Sequence, residues 1–230
     1  MVLKKTLCVK VRLMKKPLIP KIPARKKSHQ VRYERFHAFV DSLPEFEFAP
    51  KTWQFWRDSF LIFLLGSFIG HVFEMILWLG LVNQNPDWQL PWMPFIAEPF
   101  GLGALAIIWF IYPLVKSHKV GVFGAFVSGA FVATAVEFLC AATIVAILGH
   151  NPYWDYSTVT QFNLFGFVCL HNALGFGLGA LVYIYFFFPW FDKWLDRLGK
   201  APINVIAIAL VAWYVASRLS QLLFGFPLFL

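Results

Sequence analysis

Four ionisable residues stand inside otherwise apolar stretches of this 230-residue chain: Glu74, Glu137, His171 and Arg218. A charge at membrane depth is costly, so such residues usually face the interior of a helix bundle and take partners there. The surrounding pattern supports that orientation. Gly121, Ala125, Gly129, Ala133 and Glu137 recur every four residues, and Gly66 and Gly70 precede Glu74 at the same interval. Small residues in such a stripe let helices approach closely, which puts each Glu at the outer end of a packing seam. At a rise of about 1.5 Å per residue, all four groups fall about 12–16 Å below the outer boundary of the membrane. Arg218 stays charged under all conditions and can bridge both carboxylates. Two carboxylates and one guanidinium leave one negative charge, with three fates: a proton on one Glu, a proton on His171, or a bound cation. The alternative is a buried polar network that only fixes helix register.

Metal chemistry finds little support in the spacing. Cys140 lies one turn beyond Glu137, and Cys169 and His171 flank the same level, but no second His or Cys pair stands at ligand spacing. His71 and Glu74 form half of a di-metal pattern, whereas Thr134 occupies the place of the second His. No cofactor is expected. Cys8, Cys140 and Cys169 imply no disulfide framework.

A polar and aromatic island, "YWDYSTVTQFNLFG" (153–166), interrupts two apolar stretches. It is expected to be an outer re-entrant loop or short interfacial helix, with Tyr153, Trp154 and Tyr156 at headgroup level and Asp155 or Ser157 capping backbone. As a gate it would use Asp155 and Asn163 above the Glu level; as a plain aromatic belt it would use the rings and a turn.

The elements that must position these residues follow from composition. The chain is 59% hydrophobic and 14% charged, with 27 Phe, 10 Trp and 7 Tyr. Apolar runs of about 20 residues are membrane-spanning helices, and their length and continuity exclude barrel strands. Five spans are expected, at about 59–82, 98–115, 120–148, 163–189 and 202–226, giving an all-α polytopic membrane protein. Of the 20 Lys and Arg, 14 precede residue 58, and the loops 83–97 and 149–162 contain none. Basic residues mark the cytoplasmic side, so the N-terminus is expected inside and the C-terminus outside, by default in a bacterial cytoplasmic membrane. Residues 1–52 form a basic cytoplasmic arm, with ten Lys or Arg and no acid in the first thirty residues. It lacks the apolar core of a signal peptide and suits anionic headgroups. Within it, Tyr33, Phe36, Val40 and Leu43 share one face of a short helix expected on the inner membrane surface, or docked to a cytoplasmic partner.

The membrane domain, 53–230, contains an internal repeat. "GSFIGHVFEMIL" (66–77) aligns with "GAFVATAVEFLC" (129–140), pairing Gly66 with Gly129, Phe68 with Phe131 and Glu74 with Glu137. "GLGALAIIWFIYP" (101–113) matches "GLGALVYIYFFFP" (177–189) at eight of thirteen positions. The chain therefore reads as a duplicated two-helix unit, about 59–115 and 120–189, plus a fifth span. An even number of spans per unit gives both copies the same orientation, related by an axis near the membrane normal. The offset grows from 63 to 76 residues between the two blocks, and the added residues fall near the polar island.

Repeated helices with a glycine seam leading to Glu, then "WDYS" (154–157), Asn163, Gly166 and "CL" (169–170), resemble the CmpB-type ABC-transporter permease family, which includes the transmembrane protein 229 group. The resemblance covers about 59–190 and implies a membrane component of transport without a defined substrate. This chain departs from the family pattern in carrying Phe167 where an Arg usually follows the motif glycine, and "HNALGFG" (171–177) where a Ser and a Trp-Gly pair are usual. Arg218 is the cation available to replace that Arg.

No nucleophile elbow, phosphate loop, zincin helix or haem motif occurs, so an enzyme is not expected. The lipid bilayer is the first partner, and no nucleic acid is implied. A permease would need a separate ATP-binding subunit, for which the arm and the 190–200 loop offer surfaces. The alternatives are a self-contained proton- or cation-coupled carrier or channel acting as a homodimer, and an accessory subunit of a larger membrane complex.

Overall fold

The computed structural model describes residues 28–76, 96–158 and 160–224. Most of the basic arm, Cys8, the end of the first expected span (77–82), the loop residues 83–95 and the last residues of the fifth span lie outside them. By internal contacts the chain divides into a unit 1–36 and a unit His37–Leu230.

Helix α1 is Ser28–Asp41. Among the described residues five further helices are long and apolar enough to span a membrane. They are α2 (Trp53–Ile76), α3 (Glu98–Lys116), α4 (Val122–Leu148), α5 (Leu170–Leu198) and α6 (Lys200–Phe224). A two-residue hairpin, β1 (Asn163–Leu164) and β2 (Val168–Cys169), precedes α5, with Asn163 opposite Cys169. The protein is a polytopic, all-α membrane protein, and its lipid face is plain: Phe123, Phe131 and Ile147 of α4 are 79%, 74% and 74% exposed. A surrounding hydrocarbon makes such exposure favourable.

Small residues set the interhelical contacts. A Cβ added to Gly66 of α2 would overlap the Cβ of Ala104 on α3, and one added to Gly129 of α4 would overlap the Cβ of Ala180 on α5. Helix α2 thus packs on α3 as α4 packs on α5, at positions 63 and 76 residues apart. Both α3 and α5 contain one π turn, Ile107–Ile111 and Tyr183–Phe187. Pro113 and Pro189 follow at the same distance. A proline ring inside a helix crowds the carbonyl of the preceding turn, and a widened turn relieves it. Two aromatic contacts join α3 to α5 at the same spacing. Phe100 meets Phe176 edge to face at 5.8 Å between centroids, and Tyr112 meets Phe188 edge to face at 4.8 Å.

At the end of α3 marked by Lys116, a strap formed by residues 42–52 crosses the helix ends. Lys116 Nζ donates to the carbonyls of Asp41 and Leu43 at 2.8 and 2.5 Å and pairs with Glu45 at 3.1 Å. The Tyr112 hydroxyl donates to the Pro44 carbonyl. Phe46 lies against Phe188 at 6.2 Å, so the strap covers the Tyr112–Phe188 contact. His118 Nε2 meets Asp41 Oδ1 at 2.7 Å, and the hydrogen bond holds that carboxyl below its ordinary range. Helix α6 joins α2 and α5 through Leu61, Phe191, Ile203 and Ala207. Arg57 Nη1 adds a hydrogen bond to Asn204 Oδ1 at 2.9 Å.

Candidate functional site

The polar island between α4 and α5 folds on itself before it touches the helices. Helix α4 ends at Gly149, which closes it in the left-handed conformation. Asp155 Oδ1 then accepts from the Ser157 amide at 2.9 Å, and Asn163 Oδ1 accepts from the Gly166 amide at 2.9 Å. The backbone pairs Tyr156 N with Gly166 O at 2.9 Å, and the Trp154 indole donates to the Phe167 carbonyl at 2.9 Å. Gly166 has φ +71, and a Cβ there would strike Asp155 Oδ1, so both backbone and space demand glycine. Backbone N–H donation holds the Asp155 carboxyl below its ordinary range. Trp154, Asp155, Asn163 and Gly166 of the motif are therefore spent on building the loop.

Tyr156 does something different. Its hydroxyl donates to Glu137 Oε1 at 2.9 Å and accepts from Asn172 Nδ2. Burial, and next the Glu137 carboxylate, push the phenol well above its usual range, so it stays a donor at any physiological pH. Glu137 is only 7% exposed, and its Oε2 has no hydrogen-bond partner among the described residues. Glu74 lies within range of the Glu137 charge and of Tyr156. Among the described residues neither Glu forms an ion pair.

Helix register supplies the next layer. Gly70, Ala133 and Phe176 stand one turn inward from Glu74, Glu137 and Asn172, about 6 Å along the helix axes. A Cβ on Gly70 would run into the Phe100 ring, which itself meets Phe176. An aromatic pair thus lies one turn beneath the carboxylates.

The other two ionisable residues are placed elsewhere. His171 is exposed at the start of α5, and the adjacent Asn172 reaches Tyr156 instead. Arg218 pairs with Glu98 at the start of α3 and lies 5.5 Å over the Tyr214 ring, whose hydroxyl donates to Glu98 Oε1 at 3.4 Å. Sequence reading missed Glu98, Asn172 and Tyr214. Glu98-Pro99 at a span boundary was the available signal for the first, since an acid and a proline both favour a helix start. Cys140 is half-buried and Cys169 buried, both as free thiols. Among the described residues no group of three or more His, Cys, Asp or Glu is placed to hold a metal ion.

Comparison with curated proteins and with solved structures finds no match. A family model does match, over residues 61–220, which takes in most of α2 and α6, the three spans between them, the polar island and both carboxylates; its description is "Putative ABC-transporter type IV", CmpB type. A match over that much of the sequence settles the family: this chain belongs to the CmpB-type ABC-transporter family, as an integral-membrane, permease-like component of an ABC-type transport system rather than an enzyme.

Proposed function

We propose that the chain is a transport subunit built from two copies of a helix pair, α2–α3 and α4–α5, around a pseudo-two-fold axis near the membrane normal, with α6 added. One observation carries the reading: Phe100 touches Phe176 and Tyr112 touches Phe188, each pair 76 residues apart. A residue that touches its own counterpart lies on the axis relating the copies. The matched Gly66–Ala104 and Gly129–Ala180 contacts and the paired π turns support the same relation. On this reading Glu74 and Glu137 straddle the axis, and the layer they form with Tyr156 and Asn172 is where cargo is engaged.

The basic residues assign the N-terminus and the strap to the cytoplasmic face and the polar island to the outer face. The sequence carries no phosphate-binding loop of the G-x-x-x-x-G-K-[ST] type, so ATP hydrolysis belongs to a separate subunit docking on the strap and on the inner end of α5. Mass spectrometry of the intact complex, purified gently from its native membrane, tests this. A nucleotide-hydrolysing subunit at fixed stoichiometry is expected. A homodimer without one, or an assembly of unrelated subunits, would overturn the reading in favour of a self-contained carrier or an accessory protein.

A further inference from the structure

We propose that the layer of Glu74, Glu137, Tyr156 and Asn172 binds a protonated amine, its N–H groups on the carboxylates and its apolar body on the Phe100–Phe176 pair. This rests on the reading of that layer as the cargo site, and it deepens that reading by naming the ligand class.

Charge comes first. Two carboxylates from opposite helix pairs lie within range of each other, and the one guanidinium of the outer half is bound to Glu98. A group of net positive charge completes the layer. Donor geometry comes second. Glu137 is more than nine-tenths buried, Tyr156 already supplies Oε1, and among the described residues Oε2 is left as an acceptor without a donor. A buried carboxylate oxygen in that state calls for an N–H or O–H, which an alkylammonium has and a quaternary ammonium lacks. Tyr156 stays a donor and cannot rotate away without leaving Asn172, so it keeps Oε1 occupied and directs the ligand to Oε2.

The described surroundings suit an ammonium better than a bare metal ion. A hard cation takes six or more oxygen ligands, and no acidic or histidine cluster of metal-holding size occurs among the described residues. Beneath the carboxylates the lining becomes aromatic, with ring centroids 5.8 Å apart. Aromatic faces attract an ammonium and also accept its alkyl chain, whereas a hydrated ion gains nothing there.

The test uses the full-length chain in lipid nanodiscs with radiolabelled n-butylammonium at pH 7. Labelled sodium and tetramethylammonium, and unlabelled butan-1-ol as competitor, run in parallel. Saturable butylammonium binding is expected, unaffected by butan-1-ol, and weakened about tenfold or more by Glu137→Gln or Glu74→Gln, the loss that follows from removing one charge-assisted hydrogen bond. Glutamine still accepts from Tyr156, so the loop remains closed, and unchanged gel-filtration and circular dichroism profiles check the fold. Phe176→Leu keeps both carboxylates and is expected to weaken butylammonium several-fold while leaving any sodium binding unchanged. Binding that persists in the Glu74→Gln/Glu137→Gln double variant would overturn the site and the ligand class together. Glu-dependent binding of sodium or tetramethylammonium without butylammonium would overturn the ligand class alone and leave the cargo layer standing. Absence of all binding by the wild-type chain would overturn both.

Discussion

The Gly66–Ala104 and Gly129–Ala180 contacts allow one packing energy to be measured twice in one molecule. Apolar carbons rest about 3.5–4.0 Å apart, and a methyl at Gly129 overlaps Ala180, so Gly129→Ala forces α4 and α5 apart by on the order of 1 Å. Overpacking of this kind costs about 1–3 kcal/mol. A gain of up to about 1 kcal/mol in helix propensity offsets part of it, so the single variant understates the clash. A double-mutant cycle removes that complication. Combining Gly129→Ala with Ala180→Gly restores one methyl between the helices, and the coupling energy is expected at about 1–3 kcal/mol. The cycle Gly66→Ala with Ala104→Gly is expected to agree within about 0.5 kcal/mol, because both sites place glycine against alanine. Unfolding in graded denaturing detergent, followed by tryptophan emission, gives the energies. Couplings below about 0.5 kcal/mol at both sites would refute the packing argument, and a difference above about 1 kcal/mol would refute the equivalence of the two helix pairs.

Other regions yield separate expectations. Tyr156→Phe removes the donor to Glu137 and the acceptor of Asn172, both half-buried or deeper, and is expected to cost about 1–3 kcal/mol in thermal unfolding and to open residues 150–169 to protease. Arg218→Gln leaves Glu98 with the Tyr214 hydroxyl as its partner among the described residues. With the two side chains 21% and 27% exposed, the loss is expected at about 1–3 kcal/mol, less than for a fully enclosed pair, read in the same detergent unfolding. The Asp155 carboxyl lies below its ordinary value of 3.8, so its contribution to the loop is complete above that value and is lost as the pH falls through the depressed one. Amide exchange of residues 154–167 is therefore expected to be flat from pH 7 to about 4, once corrected for intrinsic rates, and to accelerate below it; acceleration already at pH 6 would contradict this. Tyr112→Phe frees the Pro44 carbonyl, and a cysteine placed at Phe46 is expected to react faster with a maleimide in that background than in the parent.

The five spans were legible because segment length and unbroken hydrophobicity have no soluble alternative. Their packing faces were legible too: Ala125, Gly129, Ala133, Glu137 and Ala141 are the buried residues of α4, and the four-residue period places the first four on one side. Depth can be counted along a sequence, whereas azimuth near a helix end cannot. His171 and Asn172 share a level but point about 100° apart, and it is Asn172 that meets Tyr156. Arg218 and Glu98 come together because α6 packs beside α2 and the start of α3, a neighbour relation that no periodicity within one helix encodes. The strap was unreadable for a related reason: "DSLPEFEFAP" has no helical period, and its place is fixed by carbonyl groups taken up by Lys116 and Tyr112.

The paired π turns also bear on ancestry. A π turn holds one residue more than the α turn it replaces, and such turns are rare. Independent insertion of that residue at Ile107–Ile111 and at Tyr183–Phe187, each followed by a proline at the same step, would require the same accident twice. On the proposed duplication the extra residue is older than the copying event and was inherited by both halves. On that duplication the second half is thirteen residues longer than the first between the two matched blocks, and Tyr156 lies in that longer stretch. On the same duplication the π turns are a common inheritance of both halves, while the outer loop that reaches Glu137 through Tyr156 belongs to the second half.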